Sequence, residues 1–208
     1  MSLWIPITIA AAAMQTLRFV LQKRLAGGVL SSAGATFARF LFAAPLALVI
    51  AGVTLAATGA AMPALTLGFW GFVLAGGIAQ IVATDLTVRL FGMRNFAVGV
   101  AFTKTETVQV ALFSALVLGE TVSAGGWAAI AVGLAGVLMI SRAPERGARL
   151  FGRVAVMGLA AGALFGIAAI GYRGATLALE PAPFFLRAAV ALAAATVLQS
   201  VLMAGWLA

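Results

Sequence analysis

Six ionisable residues stand within or beside long apolar runs of this sequence: Arg18, Arg39, Asp85, Lys104, Glu106 and Arg187. Charge in hydrocarbon is expensive, so such residues face a bundle interior or a wet cavity, pair with one another, and mark a path for an ion, proton or solute. Each also has a plainer reading. Asp85 precedes Arg89 by four residues, which puts both on one helix face, where an internal ion pair explains the acid as well as a functional role does. Arg18 lies within a turn or two of the end of its apolar run and can extend its guanidinium to the membrane interface. Glu120, beside Gly119 and ahead of Thr121 and Ser123, reads as a loop or capping residue.

Lys104 and Glu106 head the stretch KTETVQVALFSALVLGE, 104–120, and stand near the middle of an apolar span. Snorkelling is hardest there. On a regular helix two residues are separated by about 200°, so the pair is expected to face different partners. Glu106 shares a face with Thr103, Gln109 and Val110 extend it by a turn, and Asn95 and Gly99 continue it the other way. The spacing predicts a polar stripe lining a central cavity. Two chemistries stay open for Glu106: a carboxylate that exchanges its proton for solute, or one held ionised by Arg39 or Lys104 to lock neighbouring helices. Lys104 has the choice of pairing with Asp85 or of offering an ammonium to an anionic solute. The candidate substrate or coupling residues are therefore Glu106, Lys104, Asp85, Arg39, Thr103 and Gln109. The sequence holds no histidine and no cysteine, which removes imidazole bases and thiolate metal sites. A GxSxG nucleophile turn is also missing. No catalytic residue, metal ligand or cofactor is expected, and an enzyme is disfavoured.

These residues are carried by a chain of 208 residues that is 64% hydrophobic and 9% charged, with a mean hydropathy of +1.17. Soluble domains are about a quarter charged, so the composition indicates an all-α integral membrane protein. A spanning helix needs about 20 apolar residues, and on that ruler the chain divides into about seven spans, near 3–22, 34–52, 67–90, 95–117, 123–141, 154–172 and 184–207. The net charge of +8 is scattered singly through apolar sequence rather than gathered on a polar face, which points to membrane orientation and away from nucleic acid. Lys23, Arg24, Arg89, Arg94, Arg142, Arg146, Arg149 and Arg153 follow odd-numbered spans, whereas the opposite loops hold only Arg173. By the positive-inside rule the first set is cytoplasmic and the N-terminus is outside. The first span lacks the basic n-region of a secretory signal.

Small residues recur at helical spacing as Gly158, Gly162 and Gly166, and as Gly126, Ala129 and Gly133. Such stripes let helix backbones approach closely in lipid. A repeat is also visible: ATFARFLFAAPLALVI, 35–50, aligns with APFFLRAAVALAAATVL, 182–198, pairing Phe37 with Phe185 and Arg39 with Arg187 at a constant offset of 148 residues. A repeat unit of five spans, an odd number, must enter the membrane the second time from the opposite side, as in many secondary transporters.

TFARFLFAAPLAL (36–48), the Lys-Thr-Glu-Thr segment, LVLGETVS (116–123) and GWAAIAVGLAGVLMIS (126–141) together resemble the EamA branch of the drug/metabolite transporter superfamily. The resemblance implies two inverted five-helix repeats and traffic in small metabolites or drug-like solutes. It covers a first repeat over 1–142, followed by a basic cytoplasmic loop over 143–153 and a partial second repeat over 154–208. The family's usual N-terminus is cytoplasmic, the reverse of what the loop charges indicate. The expected function is secondary transport, in the export direction, across the inner (plasma) membrane by alternating access, with protons as the candidate coupling ion. The alternative is a truncated membrane structural or assembly protein. At the observed offset a second repeat would close near residue ~290, so roughly three further helices, or a second copy of the chain in a homodimer, are expected to supply the missing half.

Overall fold

The computed structural model describes residues 4–28, 30–93, 99, 102–140 and 152–208, and the described residues form helices joined by turns, with no strand. The helices are α1 (Trp4–Gly28), α2 (Ser32–Thr58), α3 (Leu67–Phe91), α4 (Glu106–Phe113) continued by a wide π turn (Ser114–Leu118), α5 (Ala124–Ile140), α6 (Arg153–Leu177) and α7 (Phe184–Leu207). Five of them, α1, α2, α3, α6 and α7, are long and apolar enough to cross a membrane, making this a multi-pass membrane protein. The α4 and α5 helices are shorter apolar elements. Most of the expected basic loop, 143–153, together with Asn95 and Arg94, lies outside the described residues.

Helix ends follow local capping chemistry. The Ser31 side chain accepts the Gly34 amide at the start of α2, and Thr66 accepts the Phe69 amide at the start of α3, satisfying donors that the helix itself leaves free. At the far end of α2, Gly59 takes a left-handed conformation (φ 60°) and returns its amide to the Leu55 carbonyl, which stops the helix in a charge-free stretch. The α1 helix runs to Gly28, six residues beyond the expected end at 22.

Small side chains make up most of the inward faces of α2 and α7, with a few bulky ones, Phe40, Leu186 and Met203, buried among them. On α2 the buried positions include Ala35, Thr36, Ala44 and Ala47, whereas Phe42, Leu46, Val49 and Val53 are exposed. On α7 the inward positions include Ala189, Ala191, Ala193 and Ala195. Lipid tails are as apolar as leucine, so helices gain by close backbone packing and leave bulky chains to the bilayer. Two long pairings dominate: α3 lies along α6, and α2 along α7. Phe69 and Val73, Ala175 and Leu179, and Leu186, Val190, Ala191 and Ala195 form the main apolar core.

The stripe Gly158, Gly162, Gly166 does what its spacing indicates. Cβ atoms there would meet, in turn, the Gly99 carbonyl, the Thr103 carbonyl and the Phe113 ring, so α6 presses on the chain segment leading into α4. The other stripe behaves differently. Nothing lies within 4 Å of Gly133, and none of the described α5 side chains is buried, so Gly126, Ala129 and Gly133 do not pack a helix seam among the described residues.

Candidate functional site

The expected continuous fourth helix, 95–117, is broken where the charges sit. Thr105 gives both its amide (3.2 Å) and its hydroxyl (2.7 Å) to the Phe102 carbonyl. The Thr107 and Val108 amides then reach back only three residues, to Lys104 and Thr105. This tightened turn over Lys104 and Thr105 precedes α4 proper, which starts at Glu106. A threonine hydroxyl that competes for a helix carbonyl is a known source of such irregularity. Gly162 accommodates the turn: a Cβ there would lie 3.0 Å from the Thr103 carbonyl and 3.3 Å from the Thr105 hydroxyl.

The turn forms one wall of a cavity of about 220 Å³. Arg18 and Gln15 reach it from α1, Arg39 from α2, Gln80 from α3, Tyr172 from α6, and Thr103, Lys104 and Glu106 from the turn itself. The expectation that Lys104 and Glu106 face different spaces is overturned: both line this cavity. It assumed a regular helix with 100° per residue, and the chain there is not one. Arg18 is also placed differently from its sequence reading. Because α1 continues to Gly28, Arg18 lies ten residues, about 15 Å, from the helix end, and its guanidinium lines the cavity. The Arg18 Nε is buried without a hydrogen-bond partner among the described residues. Phe19 stands between two of the cations, its ring 4.7 Å from the Arg18 guanidinium and 6.0 Å from Lys104 Nζ, a weakly favourable arrangement.

Glu106 forms no direct ion pair or side-chain hydrogen bond among the described residues, so neither Arg39 nor Lys104 holds it as a helix lock. Arg39 instead donates from Nη1 to Thr84 Oγ1 (2.8 Å) and lies over the Phe40 ring. Asp85 takes the plainer of its two roles. Its carboxylate bridges Arg89 at 2.7 Å, not Lys104, and it does not line the cavity. Gln109 likewise stays out of the cavity lining, donating to Thr105 Oγ1 at 3.2 Å. The polar stripe therefore shortens to Thr103 and Glu106, with Gly99 buried against Leu90, Val154 and α6.

A second cavity of about 320 Å³ shares Arg39, Gln80 and Tyr172 with the first and extends between α2 and α7 past Phe40, Ala43, Ala191 and Ala195. Sequence reasoning passed over Gln80 and Tyr172, which line both, and Gln199, which lines the second. Tyr172 Oη donates to Gln80 Oε1 (2.7 Å), and Gln199 Nε2, 1% exposed as a residue, donates to Gln80 Oε1 (2.8 Å) and to the Gly77 carbonyl (3.2 Å). Uncharged polar groups in hydrocarbon hydrogen-bond across helices for want of any other partner, so Gln80, Gln199 and the chain's single tyrosine were legible signals.

Compared with known proteins, the chain matches no family model, no curated protein and no solved structure.

Two further charges pair away from the cavity. Arg187 bridges Glu180 in the turn before α7. Glu120 closes the far end of the α4 segment: Gly119 is left-handed (φ 69°), and Glu120 accepts Ser114 Oγ (2.8 Å) and both Arg173 Nε (3.0 Å) and Nη2 (2.9 Å). The hydroxyl and the guanidinium hold this carboxyl below the ordinary glutamate value of 4.5. A depressed pKa contributes stability above the unfolded-state value and loses it as pH falls through the folded one. The difference in thermal midpoint between the wild type and Glu120→Gln is therefore expected to be full at pH 7 and to close below pH 4.5. A difference that ignores pH would rule out the carboxylate as its source.

Proposed function

We propose that the chain is a secondary transporter of small solutes, working by alternating access around the cavity at the Lys104–Thr105 break, with Glu106 carrying the coupled proton. The observation behind this reading is the coincidence of a helix discontinuity with a cavity-lining carboxylate that has no direct partner among the described residues. Transporter sites are often built where a spanning helix is interrupted, because irregular backbone in a membrane is tolerated where it lines a cavity. A carboxylate kept only to lock helices together would be paired to another element, as Glu120 is with Arg173 of α6.

The EamA-like architecture is part of the same proposal: α1 to α5 as one unit, with α6 and α7 opening an inverted second one, seven spans in all. The segments aligned at the offset of 148, 35–50 and 182–198, lie in α2 and in α7 with the turn before it, which supports it. The loop charges favour an N-terminus outside, and an inner-membrane setting with solute moving outward is part of the same proposal.

The test is flux. The purified chain, reconstituted in sealed proteoliposomes at a density that lets two copies pair and supply both halves, is expected to show proton movement, read by an enclosed pH dye, when a gradient of a transported solute is imposed. Silence across organic anions, amines and neutral solutes would favour a structural or assembly role.

A further inference from the structure

From the charge and shape of the paired cavities we infer that the bound solute is an amphipathic organic anion: an acidic head at the Lys104–Thr105 break and an apolar body lying between α2 and α7. The inference deepens the transport reading and rests on it for the movement of the solute once bound. The head is specified by charge. Arg18, Arg39 and Lys104 face a single carboxylate, Glu106, in the first cavity, so the site carries two unbalanced positive charges. Charges that share a poorly solvated space interact strongly, and these three cations repel one another until an anion enters. Their donors are available. Arg18 Nε is buried without a partner among the described residues, and Arg39 uses Nη1 on Thr84, whereas a guanidinium carries five N–H groups in a fork suited to a carboxylate. An ammonium head would meet three like charges against one opposite.

The body is specified by space. A small inorganic anion would fill only the first cavity, of about 220 Å³. Past Arg39, Gln80 and Tyr172 the second cavity offers about 320 Å³ more. Its α7 wall presents Ala188, Ala191 and Ala195 where larger residues would close it, opposite Phe40 and Ala43 of α2. Arg39 lines both spaces, so an anionic head held there directs its body into the apolar one.

The test uses the purified full-length chain in detergent at constant ionic strength, with phenylacetate, octanoate, acetate and 2-phenylethylamine as probes, by isothermal titration and thermal shift. Phenylacetate or octanoate is expected to bind saturably, acetate at least about tenfold more weakly for lack of a buried body, and the amine not at all. Lys104→Gln, which removes a cation whose side chain makes no hydrogen bond among the described residues, and Arg39→Gln are each expected to weaken the anions about tenfold, as loss of a charge-assisted contact does. Ala191→Phe, filling the apolar space, should weaken phenylacetate and octanoate and spare acetate. Amine binding as tight as anion binding, no binding of either apolar anion, or unchanged affinity in a normally melting Lys104→Gln would overturn the inference. Flux separates it from the transport reading. Anion binding with these variant effects but no movement across vesicles removes transport and leaves the inference, whereas carriage of the amine without anion binding does the opposite.

Discussion

Glutamine in place of Glu106 is expected to abolish proton-linked flux, a loss of at least about tenfold in pH-gradient-driven uptake, while membrane insertion and purified yield stay near wild type. The substitution keeps size and hydrogen-bonding capacity and removes only the titratable proton. Removing one partner of a buried ion pair typically destabilises by about 3–5 kcal/mol because the other charge is stranded. Among the described residues Glu106 makes no direct ion pair, and Arg18, Arg39 and Lys104 already outnumber it in the cavity, so its neutralisation adds to their repulsion without breaking a contact and should cost far less yield than coupling. Solute exchange at equal pH on both sides, which needs binding and alternation but no net proton movement, should survive. Asp85→Asn is the internal contrast: it breaks the 2.7 Å bridge to Arg89, whose side chain is half exposed and can turn to solvent, so it should lower the thermal midpoint only slightly and have no selective effect on coupling. Equal losses of yield and flux in Glu106→Gln would instead favour a helix-locking carboxylate.

The spans were legible because bilayer thickness is a ruler that hydropathy can be measured against. Expected starts at 67 and 184 coincide with those of α3 and α7. The overrun of α1 to Gly28 was not legible, since Lys23 and Arg24 mark the edge of the apolar run and not the end of the hydrogen bonding. That overrun sets Arg18 deep in the helix and so in the cavity. The break at Lys104–Thr105 depends on one hydroxyl choosing the Phe102 carbonyl, a local competition that periodicity averages away. Consequently Lys104, Glu106, Thr103 and Arg39 were found as residues but not as one constellation. Gln80, Tyr172 and Gln199 were missed for another reason: neutral polar groups were followed only along the face of Glu106, and these three sit on other helices, where Gln80 and Tyr172 line both cavities.

Leucine at Gly171 is expected to abolish folded yield, and alanine there to lower the thermal midpoint, consistent with an overpacking penalty of about 1–3 kcal/mol. Helices α3 and α6 cross at Gly76 and Gly171 so closely that a Cβ at 171 would lie 2.7 Å from the Gly76 Cα, 2.9 Å from the Gly76 nitrogen and 2.9 Å from the Phe72 carbonyl. These are backbone atoms, which cannot rotate aside as a side-chain tip can, so the helices themselves must part. The strain reaches the site directly. Gln80 is one turn beyond Gly76 and Tyr172 is next to Gly171, and their 2.7 Å hydrogen bond spans the same pair of helices. A small parting of the helices forced by alanine should therefore weaken the Gln80–Tyr172–Gln199 hydrogen bonds before it unfolds the chain. Gly133→Leu is the control, because nothing lies within 4 Å of that position and the added side chain enters open space. Size-exclusion profiles and thermal melts in one detergent decide the matter: a Gly171→Leu protein that elutes and melts like the wild type would mean that α3 and α6 are not held by this contact, and that the Gln80–Tyr172 hydrogen bond is supported from elsewhere.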